Sequence, residues 1–174
     1  MWRTHKVRRG FWSLRRRAAS NSQRSDPIKA VLQRVTEAAV SVDGATVGAI
    51  GPGLLVLFCV ERDDTPDDAD YFARKIAKMR LFADTDGKTN LSVLDINGGV
   101  LAVSQFTLAA DWRKGNRPGF SKAGDPDAAK ALYEHFCTAL RAEGVAVETG
   151  IFAAAMTVTL SNDGPFTIVM DGRD

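Results

Sequence analysis

Three hydrogen-bonding side chains close an otherwise apolar strand in the middle of the sequence. Val100-Leu101-Ala102-Val103 runs directly into Ser104-Gln105-Phe106-Thr107, where packing alone would favour further Val or Ile. Hydroxyl and amide groups placed at the end of a strand could bind and polarise a polar substrate. The alternative is an edge strand whose polar face meets water, because alternation of this kind is also an ordinary strand pattern. The residues alone leave both interpretations open.

A second polar segment, Asn162-Asp163-Gly164-Pro165, lies between two predicted strands near the end of the chain. Asn, Asp, Gly and Pro are the residues that tight turns prefer, so local chemistry favours a simple turn. An X-Pro bond in a tight turn can be cis, and a cis bond points the neighbouring carbonyls in an unusual direction.

A third segment, Asp111 to Lys122, is the densest basic stretch outside the N-terminal region. Bases and aromatic side chains in one loop suit contacts to phosphates and to unpaired bases. A solvated loop is the alternative, and composition alone leaves both open, although the acidic character of the surrounding domain favours RNA. The four basic side chains of this loop are Arg113, Lys114, Arg117 and Lys122, and its aromatic side chains are Trp112 and Phe120.

The common catalytic arrangements are missing from the sequence. His5 lies in the N-terminal region and His135 falls on the polar side of a predicted helix, so a Ser-His-Asp or Cys-His nucleophile is not expected. Cys59 and Cys137 stand far apart in apolar contexts, which favours two reduced core thiols. No metal-ligand spacing and no phosphate-binding or dinucleotide-binding glycine motif is present. We therefore expect no metal and no cofactor.

Charge separates the first 27 residues from the rest. Residues 1–27 hold 8 of the 23 Lys and Arg residues and one acid, which leaves 15 basic and 20 acidic side chains in residues 28–174. This basic region matches a mitochondrial transit peptide, a basic RNA-binding arm or an extension without a role. We favour the extension, then the transit peptide, and exclude residues 1–27 from the fold.

The remaining pattern predicts one α/β domain over residues 28–174. Ala30–Val35, Ala39–Val42 and Ala45–Ile50 read as strands, and Leu54–Val60 reads as a strand buried on both faces. Thr65-Pro66-Asp67-Asp68 starts a helix that ends near Leu81, and Pro126–Arg141 is a second helix. Shorter strands are predicted at Leu91–Leu94, Val100–Val103, Val145–Glu148, Thr157–Leu160 and Phe166–Met170, with a polar loop at 109–124. We expect a mostly antiparallel, barrel-like sheet with two main helices and no membrane-spanning segment.

Several segments together resemble the D-aminoacyl-tRNA deacylase (D-tyrosyl-tRNA deacylase) family. The likeness covers nearly all of residues 28–172 and leaves residues 1–27 without a counterpart. Two separate motifs in the right order make it highly specific. The segments that carry it are Ala30–Val35, Gly53–Leu57, Ser104-Gln105-Phe106-Thr107-Leu108, Arg117–Ser121 and Asn162-Asp163-Gly164-Pro165-Phe166-Thr167.

The resemblance implies a homodimer that hydrolyses the ester of D-aminoacyl-tRNA, and glycyl-tRNA as well. It implies that Gly164-Pro165 is a cis peptide inserted into the partner subunit's pocket, where it rejects L-amino acids by steric exclusion. Ser104, Gln105 and Thr107 would then line the pocket around the ester and the terminal adenosine. Phe106 would contribute its backbone N–H as an oxyanion donor. Arg34 would support the Gly-Pro loop from its strand.

The resemblance also bears on the mechanism and on the cellular location. No residue in the sequence can serve as a base for Thr107, so we rank Thr107 as a substrate binder above a nucleophile. The ribose 2′-hydroxyl of the tRNA would help to activate water. The expected location is the cytoplasm, or the mitochondrion if residues 1–27 are a transit peptide. The competing interpretation is a non-catalytic RNA-binding homodimer.

Overall fold

The computed structural model describes residues 28–113 and 115–172, which form one mixed sheet with two helices packed against it. The expectations for residues 1–27 and for Lys114 lie outside the described residues. A 3-10 turn, Phe106–Ala109, follows the sixth strand. The strands are β1 (Lys29–Val42), β2 (Ala45–Ile50), β3 (Gly53–Cys59), β4 (Phe82–Ala83), β5 (Thr89–Leu91), β6 (Gly99–Ser104), β7 (Ala146–Thr149) and β8 (Thr157–Asp171); the helices are α1 (Pro66–Lys78) and α2 (Pro126–Ala142).

Strand β1 organises the sheet because it is long enough to pair with three neighbours. Its first half pairs with β3 and its second half with β2, while β8 runs antiparallel along its other edge. The prediction of two separate strands at Ala30–Val35 and Ala39–Val42 was therefore wrong. The polar residues Thr36 and Glu37 between them are exposed, but β8 continues to pair alongside and keeps the backbone extended.

The sheet is mixed and nearly closes into a barrel. The strand order is β2-β1-β3-β6-β7, with β8 on β1; β3–β6 and β6–β7 are parallel and the other pairs of this sheet are antiparallel. Curvature brings β2 back against β7, where a Cβ on Gly48 would lie 2.7 Å from the carbonyl oxygen of Thr149. Glycine at position 48 thus permits the close approach. The predicted α/β fold with a barrel-like core is confirmed.

Strand β3 separates two apolar cores, as expected for a strand buried on both faces. Leu54, Val56 and Phe58 face the helices, and Leu55 faces the interior of the barrel with Leu101 and Val103. The ring of Phe58 stacks on Phe136 of α2 at 3.9 Å between centroids. Strand β3 therefore joins the sheet to the helical layer close to its carboxyl end.

Both helices begin where their capping residues predict. The Thr65 hydroxyl accepts from the Asp68 N–H at 3.4 Å and the Asp68 carboxylate accepts from the Thr65 N–H at 2.9 Å, which is a capping box. Asp125 caps α2 by accepting from the N–H groups of Asp127 and Ala128. Helix α1 ends at Lys78 instead of near Leu81.

Three local predictions are corrected by the structure. Asn162-Asp163-Gly164-Pro165 does not join two strands, because it lies within the continuous strand β8. The strand predicted at Leu91–Leu94 ends at Leu91, and the following residues form turns capped by Asp95, whose carboxylate accepts from Ser92. The loop predicted at 109–124 begins inside the 3-10 turn. No helix in the described part of the chain is long and apolar enough to cross a membrane.

Candidate active site

The Ser104–Thr107 motif leaves the sheet at the carboxyl end of β6 and folds into the 3-10 turn. The Gln105 N–H donates to the Phe58 carbonyl at 2.8 Å, which holds the first residue of the departing chain to β3. Phe106 opens the turn, and Gln105 provides no side-chain cap. Because the first N–H groups of a helical turn have no acceptor within it, the backbone N–H of Phe106 is available to a ligand.

A buried thiol supports the turn from below. Cys59 at the end of β3 donates through Sγ to the Phe106 carbonyl at 3.6 Å. Burial, with the nearby Glu61 carboxylate adding to it, raises the pKa of Cys59 to about 12. The thiol therefore remains protonated at neutral pH, so it acts as a hydrogen-bond donor to the turn and not as a thiolate nucleophile.

The Thr107 hydroxyl is bound to an amide. Gln105 Nε2 donates to Thr107 Oγ1 at 2.5 Å; Thr107 is exposed and Gln105 is half-buried. An amide does not take up a proton at neutral pH in either orientation of its oxygen and nitrogen, so Gln105 cannot act as the base for Thr107. The arrangement orients the hydroxyl without activating it.

Ser104, Gln105 and Phe106 line one side of a cavity of about 620 Å³ between β6, α2 and β8, whereas Thr107 is not among the residues that line it. Its walls are apolar and aromatic, and no Asp, Glu, His, Lys or Arg side chain of the described residues lines it. The Tyr133 hydroxyl donates to the Ala102 carbonyl at 2.8 Å, and burial raises its pKa above the ordinary value. The walls include Ser104, Gln105, Phe106, Phe120, Tyr133, Phe152, Ala153 and Met156.

The basic loop is anchored beside this cavity. Asp111 and Gly119 exchange two backbone hydrogen bonds of 2.8 and 2.9 Å, which closes the loop at its base. Phe120 then packs edge-on against Phe106 with 5.1 Å between ring centroids. Arg113 and Arg117 are exposed, whereas Lys122 is half-buried and its carbonyl accepts from the Arg62 N–H.

The Gly164-Pro165 segment bulges out of β8 opposite Arg34. Gln33 pairs with Thr167 and Val35 with Asn162, so residues 163–166 face Arg34 alone on β1. The Gly164-Pro165 peptide bond is cis. Neither residue lines the cavity described above. Within one chain, the structure does not bring the two predicted motifs into one pocket.

The Arg34 side chain makes two contacts with this bulge and one with the segment after α1. Its Nε lies 2.8 Å from Asp163 Oδ2 as an ion pair, and its guanidinium carbon lies 4.1 Å from the centroid of Phe166. It also donates to the Leu81 carbonyl at 2.6 Å, which fixes the far end of the side chain. The guanidinium therefore links the bulge to the segment after α1.

Sequence reasoning assigned no individual role to several residues that shape the site. Asn162 Nδ2 donates to the Arg34 carbonyl at 2.8 Å and to the Phe166 carbonyl at 3.4 Å, and so ties the two ends of the bulge together. Tyr133 and Phe152 form cavity walls from α2 and the segment before β8. Nothing in their local sequence context signals this role, because only the tertiary packing brings them to the motif.

Ionisable groups gather in a neighbouring cavity of about 790 Å³. Burial raises the pKa of Asp64 there to about 7. Both oxygens of Asp64 accept backbone N–H groups, from Ile28 at 2.8 Å and Glu61 at 2.6 Å. His135 also lines this cavity; it is exposed, as its position on the polar side of α2 predicts, and its Nε2 lies 2.8 Å from Asp70 Oδ1 on α1. These groups do not line the cavity of the Ser104–Thr107 motif.

Comparison with known proteins identifies the family. Residues 31–171 match the family described as D-Tyr-tRNA(Tyr) deacylase. The chain belongs to this deacylase family. It is similar to the D-aminoacyl-tRNA deacylase of Anaeromyxobacter dehalogenans (strain 2CP-C), with 58% identity over 84% of this chain and 98% of that protein. The corresponding protein of Thermus aquaticus is 54% identical over 84% of this chain and 97% of its own length.

Solved structures share this fold. The c-Myc DNA unwinding element binding protein is 40% identical and superimposes with a TM-score of 0.76, covering 82% of this chain and 97% of that one. A probable eukaryotic D-amino acid tRNA deacylase, at 19% identity and a TM-score of 0.74, shows the fold alone. The resemblance in the sequence is thus confirmed, and the chain is an enzyme of the D-aminoacyl-tRNA deacylase family.

Proposed function

We propose that this enzyme hydrolyses the ester bond of D-aminoacyl-tRNA and releases the free D-amino acid and tRNA. Glycyl-tRNA mischarged on tRNA-Ala is proposed as a second substrate. The observation that carries this proposal is a cavity whose described walls are apolar and aromatic and carry no charged side chain, with the Ser104 hydroxyl, the Gln105 amide and the Phe106 backbone at its rim. A cavity of this size suits a nucleoside, and its few polar groups at one side suit an ester.

The terminal adenosine occupies the aromatic part of the cavity in this proposal. Tyr133, Phe152 and Phe120 provide ring surfaces against which a base can stack. The ester then lies at the rim, where Ser104 and Gln105 contact it and the Phe106 N–H donates to the oxygen that becomes negative in the transition state. No cofactor enters the reaction.

The substrate supplies the group that activates water. The cavity wall contributes no carboxylate, imidazole or amine, and the nearby thiol of Cys59 stays protonated with a pKa raised to about 12. The ribose 2′-hydroxyl next to the ester is held at the reacting centre by the binding of adenosine. Thr107, bonded to the Gln105 amide, binds and orients the ester and does not attack it.

Chirality is set by the Gly164-Pro165 bulge of a second subunit. The bulge projects from β8 and does not line the cavity of its own chain, so it is free to enter another. The outer edge of β8 pairs with no strand in the described part of the chain, and Val169 on that strand is 72% exposed. These features favour a homodimer in which Arg34 and Asn162 hold the bulge and the bulge excludes L side chains.

The basic loop contacts the tRNA backbone beside the ester. Arg113 and Arg117 are exposed and Phe120 joins their loop to Phe106, so cations stand next to the cavity rim. We assign Lys114 and Lys122 to the same contact. The acidic balance of residues 28–174 makes such a local patch necessary. The enzyme then acts where tRNA is charged, in the cytoplasm or, with residues 1–27 as a transit peptide, in the mitochondrion.

Incubation with D-tyrosyl-tRNA and L-tyrosyl-tRNA tests the function directly. We expect release of D-tyrosine only, at a rate proportional to enzyme. Tight binding of both tRNAs without release would support the non-catalytic RNA-binding homodimer instead. Release of L-tyrosine at the same rate would support the esterase activity but contradict the proposed role of the bulge in chiral selection.

A further inference from the structure

An indole stands exposed on the basic loop with no role in the site described above. Trp112 is 72% exposed, although tryptophan side chains are mostly buried in folded proteins. The guanidinium carbon of Arg113 lies 5.6 Å from the centre of its ring. A bare aromatic face beside exposed cations is the combination that binds unpaired nucleotides, with the ring under a base and the cations on phosphates.

The backbone segment that carries Trp112 is anchored beside the cavity. Its neighbour Asp111 pairs with Gly119 through two backbone hydrogen bonds, and the Asp111 carboxylate accepts from the Arg113 N–H at 3.0 Å. Phe120, next to Gly119, contacts Phe106 at the cavity rim. The segment that carries the indole is thus anchored at its base beside the cavity rim, where a chain attached to the bound adenosine would leave in the proposed function.

We propose that Trp112 stacks on an unpaired base of the single-stranded 3′ end of tRNA, upstream of the terminal adenosine. The proposal rests on the proposed function, since it places that adenosine in the cavity. Arg113, which lies beside the indole, and the exposed Arg117 of the same loop then neutralise phosphates next to the stacked base. A stacked base contributes about tenfold or more to binding and is tolerant of sequence, because every base has an aromatic face.

Two substrates distinguish an effect of Trp112 on tRNA binding from an effect on catalysis. We expect Trp112→Ala to raise KM for D-tyrosyl-tRNA about tenfold with little change in kcat, and to leave the hydrolysis of D-tyrosyl-adenosine, which lacks the upstream nucleotides, unchanged. Trp112→Phe retains a ring and should recover most of the affinity. Tyr71→Ala is the matched control, because Tyr71 is 49% exposed and lies 5.6 Å from the Lys75 ammonium on α1.

Salt dependence distinguishes stacking from charge. Arg117→Ala should reduce the dependence of tRNA affinity on salt by about one unit of slope, whereas Trp112→Ala should lower affinity without changing the slope. An unchanged KM in Trp112→Ala, or an equal loss on D-tyrosyl-adenosine, would overturn the proposal. If the wild-type enzyme hydrolyses neither D-tyrosyl-tRNA nor D-tyrosyl-adenosine, the proposed function fails, which is a different result.

Fluorescence gives a readout that does not depend on activity. The chain has three tryptophans, so Trp2→Phe with Trp12→Phe leaves Trp112 as the single reporter. We expect a single-stranded RNA ending in CCA to quench it, and a mononucleotide of adenosine to have little effect. Quenching that depends on protein concentration and not on RNA would assign the indole to a protein interface and contradict the proposal.

Discussion

At the scale of single residues, the hydrogen bond between Gln105 and Thr107 bears on the proposed role of the Thr107 hydroxyl. A threonine hydroxyl is a weak nucleophile until a base removes its proton. Gln105 Nε2 lies 2.5 Å from Thr107 Oγ1, and an amide cannot serve as that base. The Cys59 thiol that supports the same turn is protonated, since its pKa is raised to about 12. The rim therefore offers donors and orientation, which are the means of stabilising a developing oxyanion.

Thr107→Ala tests this role of the hydroxyl. We expect deacylation of D-tyrosyl-tRNA to slow by about tenfold, because one hydrogen bond is lost while the attacking group remains. Single-turnover kinetics at saturating enzyme measure the chemical step. Thr107→Ser keeps the hydroxyl and is the control, expected near the wild-type rate. A rate reduced to that of free substrate, with tRNA binding intact, would make Thr107 the nucleophile.

The sequence revealed the residues of the rim but not those of the wall. Ser104 and Gln105 stand together in the chain, so their polar character after an apolar strand is visible in the sequence itself. Tyr133 and Phe152 reach the cavity from α2 and from the segment before β8. On α2, Tyr133 follows the ordinary spacing of a core residue, and only tertiary packing gives it a second function.

At the scale of secondary-structure elements, the bulge in β8 depends on β1. Four residues of β8 face Arg34 alone, and Asn162 donates to the Arg34 and Phe166 carbonyls. Arg34 adds the ion pair to Asp163 and the contact with Phe166. A projecting segment held at its base from both strands is suited to present a rigid surface to another subunit.

Mixing two defective variants tests whether the bulge acts across subunits. Phe106→Pro removes the backbone N–H at the first position of the 3-10 turn, where proline is tolerated. Pro165→Ala removes the ring from the bulge. We expect each variant to have low D-tyrosyl-tRNA hydrolysis alone, and the mixture to recover activity, because a hybrid dimer contains one site with both parts intact.

A bulge that acts within its own chain would give the opposite result. If the bulge acts within its own chain, every site in the hybrid carries one defect and the mixture stays as inactive as the separate variants. Phe106→Ala, which keeps the N–H and loses the ring, is the matched control for the loss of the Phe106 side chain. Exchange of subunits is verified by co-purification of differently tagged chains.

Helices were more predictable than strand boundaries. Thr65 and Asp68 form the capping box that their spacing predicts, since a cap is a local interaction between neighbouring residues. Strand β8 continues through Asn162–Pro165, where the local sequence favours a turn. Its continuity comes from pairing with β1, a partner more than 120 residues away in the chain. Pairing between segments so far apart in the chain cannot be recognised in a short window of sequence.

At the scale of the whole molecule, charge is unevenly distributed. Residues 28–174 carry 15 basic and 20 acidic side chains, so in the proposed function the domain attracts RNA through a local patch, the loop with Arg113 and Arg117. The excess of positive charge lies in residues 1–27. The family match begins at residue 31, so the basic region is not part of the matched domain.

Removal of residues 1–27 therefore should spare catalysis. We expect kcat and KM for D-tyrosyl-tRNA within about twofold of the full chain, and the same dependence on salt, because the cavity and the loop lie outside that region. Steady-state kinetics between 50 and 200 mM salt, roughly the range over which phosphate contacts weaken most visibly, measure both. A large rise in KM that is greatest at low salt and shrinks as salt increases would show that the basic region binds tRNA.

In the proposed mechanism, the substrate's own 2′-hydroxyl, and no side chain of the enzyme, helps to activate water. The most direct measurement compares D-tyrosyl-tRNA ending in adenosine with the same tRNA ending in 2′-deoxyadenosine, acylated on the 3′-hydroxyl. We expect the single-turnover rate to fall by about a hundredfold or more on the deoxy substrate, with binding affected far less. Equal rates on the two substrates would contradict the account and would require the enzyme itself to provide the activating group.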